Sequence, residues 1–348
     1  MKQKFLKKLT ILILICSAIV SVPVLFFDPF FHYHKPIGSL KEVLTKAEYQ
    51  VIGTLRTFDY NAVIAGSSMA ENYSNKDFDT AYGCTTIKAV KPGADTADLV
   101  YLLEEAFREQ EIEKVFYTLD ISAITSSKHH SFVEEGMPEY LYNYNPLDDI
   151  QYLMNKDVLF EDIPYMIATS FIGDYKEELS YYWAEGKDFT AMHYEPIEEQ
   201  QPIERIEDHR EDISRNISAL TELIRKNPDT EFIIIVPPYS SLWWYENDRN
   251  GELELSFYAL EEALTALLKE ENTQIHYYQH LDEITGNLDL FMDLLHFHPR
   301  VNEFIVDTLV NGDYQMNTEN KEEYLTSMRK LAEKSINVYA GEYFDTKK

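Results

Sequence analysis

Residues 213–238 have the sequence ISRNISALTELIRKNPDTEFIIIVPP and show most clearly how the chain folds. In their first half, apolar residues recur at the spacing of one helix face, which predicts an amphipathic helix over Ile213–Lys226. Residues 231–236, EFIIIV, form a short apolar run that ends at Pro237 and Pro238, so we predict a buried strand there. A helix followed directly by a buried strand is the repeating unit of a parallel α/β sheet.

The same alternation of strand and helix extends in both directions along the chain. We predict further strands at Asn61–Ala65, Thr86–Val90, Lys114–Leu119 and Gln274–Tyr278. Helical spacing of apolar residues predicts helices at Leu40–Arg56, Thr96–Gln110, Leu255–Lys269 and Asn302–Val310. We therefore expect an α/β fold with a doubly wound parallel sheet of about five strands, and a functional site at the carboxyl ends of those strands.

Residues 121–210 interrupt this alternation. The stretch is rich in Tyr, Asp and Glu, and it contains predicted helices at Pro146–Met154 and Phe160–Phe171. We predict a helical insertion between the third and fourth strands, over the carboxyl edge of the sheet. Beyond the last strand, Asn320–Tyr343 is expected to form a helix or a pair of helices packed on the outside.

The composition is that of a large globular chain with an acidic surface. Of the 348 residues, 45% are hydrophobic, including 25 Tyr and 19 Phe, which is ample material for a core. The formal net charge is -29, and a surface of that sign repels nucleic acids and anionic lipid headgroups. Nucleic-acid binding is therefore not expected. The two cysteines, Cys16 and Cys84, provide neither a disulfide framework nor a metal-binding CxxC pair.

The N-terminus has the pattern of a membrane anchor. Leu9–Phe27 is an uncharged run of 19 residues, close to the ~20 that a helix needs to cross a bilayer. Lysines precede the run, so we expect the N-terminus in the cytoplasm and everything after Asp28 outside. A cleaved signal peptide is the alternative, but the bulky residues at the end of the run offer no small-residue cleavage site. We divide the chain into an anchor (1–28), a juxtamembrane connector (29–57) and an extracytoplasmic domain (58–348).

A pair of serines follows the first predicted strand. Gly66-Ser67-Ser68-Met69 lies at the turn from that strand into a predicted helix. A serine at such a turn is exposed at the sheet edge, where its hydroxyl can meet a base and the N–H groups of the helix can face an oxyanion. The plainer interpretation is a serine that caps a helix in an ordinary loop.

An aspartate and a histidine follow the fifth strand. Asp293 precedes His296 by three residues, and from there a carboxylate can hydrogen-bond the imidazole, fix its tautomer and stabilise its protonated form. The other ring nitrogen is then free to take a proton from a serine. Two unrelated histidines in a surface loop, His296 and His298, are the alternative. His296 is preferred to His298 because Asp293 stands at this offset.

Together, the Gly-Ser-Ser turn and the Asp-x-x-His pair resemble the SGNH/GDSL hydrolase superfamily, most closely its membrane-anchored members from bacterial cell envelopes. The resemblance covers roughly residues 58–312 and implies a flavodoxin-like sheet. It also implies that Ser68, rather than Ser67, is the nucleophile. His296 would be the base and Asp293 its orienting partner.

The second glycine-containing block of the family is matched by Lys91-Pro92-Gly93-Ala94. By the resemblance, the N–H groups of Gly93 and Ser68 would bind the oxyanion, although the block is equally typical of a plain turn after a strand. The family's Gly-x-Asn-Asp block is missing, and the third strand ends instead in Thr118-Leu119-Asp120-Ile121. One oxyanion donor is thus unassigned. The carboxylate of Asp120 would repel an oxyanion, so it would instead bind a hydroxyl or hold a loop.

The resemblance implies a serine esterase or O-acyltransferase, on a bacterial cell membrane, that acts on acyl esters of an envelope polysaccharide and needs no cofactor or metal. Its expected partners are a cell-surface glycan or acylated polymer and a membrane-bound acyl donor protein. A non-catalytic binding or assembly partner in envelope polymer modification is the alternative.

Two further groups of side chains are candidates for binding. Trp243 and Trp244, beyond the fourth strand, could stack on a sugar ring, which would suit a glycan-binding domain. Core packing and a membrane-facing patch are equally open for them. His129 and His130 lie in the insertion without acidic ligands at metal-binding spacing, so a solvated loop is the better interpretation.

Overall fold

A single sheet organises the fold, in a computed structural model that describes residues 2–128, 137–189, 192–197 and 199–346. Within those ranges its strands are β1 (Ala62–Gly66), β2 (Thr86–Val90), β3 (Lys114–Thr118), β4 (Glu231–Val236), β5 (Thr273–Tyr277) and β6 (Gln315–Met316). The strand order is β2-β1-β3-β4-β5-β6. β1 to β5 are parallel, and the two-residue β6 pairs antiparallel with β5.

Helices occupy most of the remaining described chain. In chain order they are α1 (Lys2–Phe27), α2 (Ala47–Thr57), α3 (Ser68–Glu71), α4 (Asn75–Tyr82), α5 (Thr96–Glu109), α6 (Ile121–Thr125), α7 (Glu139–Tyr142), α8 (Ile150–Leu153), α9 (Ile163–Phe171), α10 (Ile206–Lys226), α11 (Ser241–Arg249), α12 (Leu253–Leu267), α13 (Asp282–Thr285), α14 (Pro299–Asn311), α15 (Lys321–Lys334) and α16 (Ala340–Thr346). Short 3₁₀ turns lie at Glu177–Leu179 and Leu288–Leu290, and π-helical turns at Val158–Asp162 and Ser335–Tyr339.

This architecture confirms the predicted α/β fold with a doubly wound parallel sheet. All five residues of β1 are buried, as expected of a central strand that helices cover on both faces. The order 2-1-3-4-5 of the parallel strands is flavodoxin-like, and it reverses direction between β1 and β3. Chains leaving β1 and β3 therefore diverge, and the crevice that opens at their carboxyl ends is where such sheets bind ligands.

The chain divides into two compact units. Among the described residues, the first contains those within 1–59 and 132–181, and the second contains those within 60–131 and 182–348. The whole sheet lies in the second unit. There α10 packs on α5 and α12, and its buried side chains include Ile213, Leu220, Leu223 and Ile224.

In the first unit, α1 is long and apolar enough to span a membrane. Of its described side chains only Val24 is buried, so most of its apolar surface is open. The helix ends at Phe27. The next residue is Asp28, whose buried carboxylate accepts the N–H groups of His32, Tyr33 and His34 at 3.1, 2.7 and 2.9 Å. The hydroxyl of Tyr152 donates to the same carboxylate at 2.8 Å. One buried side chain therefore organises the turn that follows α1.

The predicted start of α2, at Leu40, is wrong. The helix begins at Ala47 because the side chain of Gln50 holds the preceding residues in an irregular path. Its Oε1 accepts the N–H groups of Thr45 and Lys46 at 2.9 and 2.8 Å, and its Nε2 donates to the carbonyl of Val43 at 2.7 Å.

Other predicted helix bounds also need correction. α10 begins at Ile206 rather than Ile213, since its first two turns are mostly charged and carry no apolar stripe. The helix predicted over Pro146–Met154 is reduced to α8. The predicted C-terminal pair is α15 and α16, joined through a π-helical turn.

Candidate functional site

Ser68 lies where β1 turns into α3, with its hydroxyl at the carboxyl edge of the sheet. The turn requires glycine at position 66, because a Cβ there would lie 2.7 Å from Cβ of Ala70 and 2.8 Å from Cβ of Thr118. Gly66 thus allows β1, α3 and β3 to approach closely. Ser67 precedes α3 in extended conformation and is buried, whereas Ser68 is half-buried.

Asp293 and His296 lie in a tight loop that its own backbone holds closed. Phe291 and Phe297 form an antiparallel bridge, and the N–H of Met292 donates to the carbonyl of His296 at 2.9 Å. The two oxygens of Asp293 have different roles in the loop. Oδ1 accepts the N–H groups of Leu295 and His296 at 2.9 and 2.8 Å, while Oδ2 faces the imidazole.

The structure brings Ser68, His296 and Asp293 together in one line of hydrogen bonds. Oγ of Ser68 lies 2.7 Å from Nε2 of His296, and Nδ1 of His296 lies 2.6 Å from Oδ2 of Asp293. A carboxylate only accepts, so Nδ1 carries the proton, and Nε2 is left to accept from the serine hydroxyl. This is the arrangement in which a serine becomes a nucleophile.

Asp293 is suited to stay ionised beside the histidine. Burial alone would raise its pKa, but the hydrogen bonds from the ring and the backbone N–H of His296 outweigh burial, and the pKa of Asp293 is lowered. A carboxylate that stays charged can stabilise an imidazolium when the histidine takes up a proton.

Trp183 is a residue of this site that the sequence reasoning missed. Its indole Nε1–H donates to the carbonyl of Ser68 at 2.9 Å. Its ring meets that of His296 edge-on, with the ring centroids 5.0 Å apart. The N–H groups of Trp183 and Ala184 both donate to the buried Oδ1 of Asn72, at 3.1 and 3.2 Å. Trp183 therefore touches both ends of the Ser–His contact, and no motif marks it in the sequence.

Gly93 lies in the loop after β2, beside the end of β1. The strands pair Gly66 with Val90, and the N–H of Lys91 donates to the carbonyl of Gly66 at 3.3 Å. Gly93 has φ of +62°, a conformation that favours glycine. Just before it, the Lys91 ammonium forms a fully buried ion pair with Asp98 at 3.0 Å. The loop is thus held at the same sheet edge as Ser68.

Asp120 is buried just after β3, next to Ser67 of the serine turn. Burial raises the pKa of its carboxyl to about 6, while hydrogen bonds from Ser67 and Tyr239 and the nearby His296 act in the opposite direction. The hydroxyl of Tyr239 also accepts the N–H of Ile121 at 3.1 Å. Asp120 therefore contacts the serine turn from inside the protein.

The two adjacent tryptophans differ in exposure. Trp244 is fully buried and packs on Phe257, with the ring centroids 5.5 Å apart. It is a core side chain, one of the alternatives considered, and has no free face for a sugar. Trp243 is half-buried against Tyr239, with the ring centroids 4.4 Å apart. Its role in sugar binding stays a prediction.

Two other expectations concern metal binding. His129 and His130 lie outside the described residues. In the part of the chain that the structure describes, no group of three or more His, Cys, Asp or Glu side chains is placed to hold a metal ion.

Comparison with known proteins identifies no family for this chain. No family model matches the chain, and no curated protein matches it. Among solved structures, the chain is similar to one described as "a putative platelet activating factor from Streptococcus pneumonia". The two are 12% identical, the match covers 77% of this chain and 90% of the other, and the TM-score is 0.38. A likeness at that score carries no argument about activity.

Proposed function

We propose that this protein is a serine-dependent esterase or O-acyltransferase of the SGNH type, held to a bacterial membrane by α1. The observation that carries the proposal is the continuous contact from Oγ of Ser68 through the imidazole of His296 to the carboxylate of Asp293, at 2.7 and 2.6 Å. A serine beside a histidine that a carboxylate orients is the recurrent device for acyl transfer on unrelated folds.

The reaction begins with attack of the Ser68 hydroxyl on an acyl carbonyl. His296 takes the hydroxyl proton on Nε2, and Asp293 stabilises the imidazolium that results. When the ester bond breaks, the imidazolium returns its proton to the leaving alcohol and the acyl group stays on Ser68. Water or a glycan hydroxyl then attacks this acyl-enzyme, with His296 again as base, which releases an acid or a new ester.

The N–H groups of Ser68 and Gly93 are the proposed oxyanion donors. Ser68 is the first residue of α3, where backbone N–H groups have no partner within the helix. The Gly93 loop begins beside the end of β1, and its positive φ turns the backbone sharply. Preorganised donors of this kind stabilise the developing negative charge.

The proposed substrate follows from the anchor. Four lysines in the first two turns of α1 favour a cytoplasmic N-terminus and an extracytoplasmic position for the rest of the chain. A catalytic domain fixed at the outer face of a membrane meets polymers that are made there. We therefore propose an acyl ester of an envelope polysaccharide as substrate, with a membrane-bound acyl donor protein as partner.

Asp120 supports the non-catalytic alternative. The oxyanion donor that the family carries at the end of the third strand is replaced by a buried acid, and its carboxylate form would oppose negative charge at the site. In that alternative the chain keeps the fold and binds or assembles partners in envelope polymer modification.

The test uses the full chain in detergent with a fluorophosphonate probe and p-nitrophenyl acetate. The proposal expects labelling and ester turnover in the native chain and the loss of both in Ser68→Ala and His296→Ala. The variants Ser67→Ala and His298→Asn are matched controls, and we expect them to retain labelling, because neither residue lies in the proposed relay. A native chain that is folded but takes no label would overturn the enzymatic proposal and favour the binding role.

A further inference from the structure

Outside α1, the exposed large apolar side chains of the described residues are concentrated in one short part of the first unit, where Ile37 is the single further one. Eight lie between residues 144 and 172, namely Tyr144, Leu147, Ile150, Met154, Phe160, Tyr165, Phe171 and Ile172. Within the described residues of the second, larger unit, those exposed are Ile203, Val310 and Val338. Soluble proteins seldom leave a contiguous apolar surface of this kind open unless it contacts a partner or a membrane.

The π-helical turn at Val158–Asp162 and α9 form one continuous helix, whose exposed side carries a stripe of apolar residues beside one exposed acid, Glu161. Phe160, Pro164, Ala168 and Phe171 recur along that side at helical spacing, and all four are exposed. The opposite side of the helix is bound to the chain before α2. The carboxylate of Asp162 pairs with Lys46, and the hydroxyl of Ser170 accepts the N–H of Lys41 at 2.9 Å. A helix that faced water would show the reverse arrangement.

Contacts with α1 show which part of that helix lies beside this apolar surface. Both α8 and the π-helical turn contact α1. The hydroxyl of Tyr152 reaches Asp28 just past the end of α1, while Sδ of Met154 lies 3.3 Å from Oγ of Ser21. Ser21 precedes the end of α1 by about 9 Å along the helix axis. α8 therefore runs beside the last two turns of the anchor helix.

We propose that residues 144–172 form a second membrane-contacting element, whose exposed apolar side chains lie among the acyl chains of the lipid leaflet around the end of α1. The inference rests on the membrane anchorage by α1 proposed above. Lipid is the occupant that the contacts favour, because α8 and the π-helical turn at Val158–Asp162 pack on α1, whose last turns expose the apolar side chains of Leu25 and Phe26. Interfacial helices bury their apolar faces by about 5–10 Å, a depth that agrees with the contact at Ser21.

The test places fluorescent labels on this surface in the full chain. Single cysteines replace Phe160 or Ile172 in a background that carries Cys16→Ala and Cys84→Ala, and the chain is reconstituted in phosphatidylcholine vesicles. A bimane label on each cysteine is quenched either by a nitroxide in the acyl chains or by iodide in the water. We expect strong quenching by the lipid nitroxide and loss of iodide quenching at both positions.

Two control positions separate the possible failures. Ile203→Cys, an exposed apolar position in the second unit, is expected to be quenched by iodide alone. Ile19→Cys, in the middle of the apolar run of α1, reports the anchor itself. Iodide quenching at Phe160→Cys and Ile172→Cys, with lipid quenching at Ile19→Cys, would overturn the second element and leave the anchor standing. Iodide quenching at all of these positions would overturn both.

Native membranes distinguish lipid from a protein partner. Protection from iodide in pure lipid vesicles supports lipid as the occupant. Protection that occurs only in membranes containing the native partners would overturn the lipid proposal and assign the surface to another membrane protein.

Discussion

One oxygen of Asp293 lies 2.6 Å from Nδ1 of His296, and the other accepts the backbone N–H of the same histidine at 2.8 Å. A single carboxylate therefore fixes both the ring and the loop that carries it. The backbone contacts shape the loop, whereas the ring contact decides which nitrogen of the imidazole holds the proton.

We expect Asp293→Asn to separate these two roles. An amide can keep its oxygen on the backbone N–H groups only by turning its NH₂ toward Nδ1, which favours the wrong imidazole tautomer. A comparable substitution in serine proteases lowers kcat by about 10⁴, and we expect a loss of about 10³–10⁴ in kcat for p-nitrophenyl acetate with little change in thermal midpoint. The control is Asp289→Asn, an exposed acid in the preceding turn. Full turnover by Asp293→Asn would contradict the assigned role.

Trp183→Phe is expected to slow acylation while the domain stays folded. Phenylalanine retains a ring beside His296 but has no donor for the carbonyl of Ser68. Loss of one such hydrogen bond is worth about 1 kcal/mol, so we expect labelling of Ser68 by the fluorophosphonate to slow by about fivefold. Tyr182→Phe is a matched control at the neighbouring position. If labelling slows only in proportion to a loss of folded protein, measured by the thermal midpoint, Trp183 is structural and not a positioning residue.

Gly66→Ala tests the close packing of the serine turn. The added methyl group would overlap Ala70 on α3 and Thr118 on β3. Overpacking of this kind costs roughly 1–3 kcal/mol, so the thermal midpoint should fall by several degrees and labelling of Ser68 should weaken. Gly341→Ala serves as control, because a Cβ at that position meets no atom within 4 Å. Equal stability of the two variants would show that the turn tolerates a side chain.

Asp120→Asn should stabilise the chain, and more so as the pH rises. Burial raises the pKa of the Asp120 carboxyl in the folded chain to about 6, above its ordinary value of 3.8, so ionisation favours the unfolded state. The penalty is absent below the unfolded pKa, grows as the pH rises to about 6, and reaches about 3 kcal/mol above that. We expect the gain in thermal midpoint over the native chain to increase from pH 5 to pH 8.

The variant Asp157→Asn, which removes an exposed acid that pairs with Lys156, is the control for the general effect of deleting one carboxylate. A constant difference between Asp120→Asn and the native chain across this range would show that Asp120 does not titrate there.

The strands could be predicted from the sequence because each is a continuous buried run bounded by breaking residues. Thr86–Val90 and Glu231–Val236 match the structure at both ends, and the other three parallel strands differ by one residue. The antiparallel β6 could not be predicted, since a strand of two residues shows no periodicity in the sequence. Predicted helix starts were wrong where side chains or surface charges determine the first helical residue, as Gln50 does before α2.

The candidate site divides in the same way. Asp293 and His296 are three residues apart, so their contact could be expected from local geometry, and the family resemblance linked them to Ser68. Trp183 could not be found in this way. It meets Ser68 across 115 positions and Asn72 across 111, and only the folded chain reveals such contacts. For Trp244 the sequence left core packing and sugar binding open, because an aromatic pair in the sequence does not indicate which ring is buried.

The turn at Asp28 has a mechanical consequence. Flexible linkers let an anchored domain sweep a volume that grows with linker length. Here the chain leaves α1 through a turn whose N–H groups are bound to a buried carboxylate, and that carboxylate also holds Tyr152 of the insertion. The residues that follow α1 thus form a rigid connection and not a flexible linker, and any rotation or tilt of α1 would be transmitted directly to residues around Tyr152.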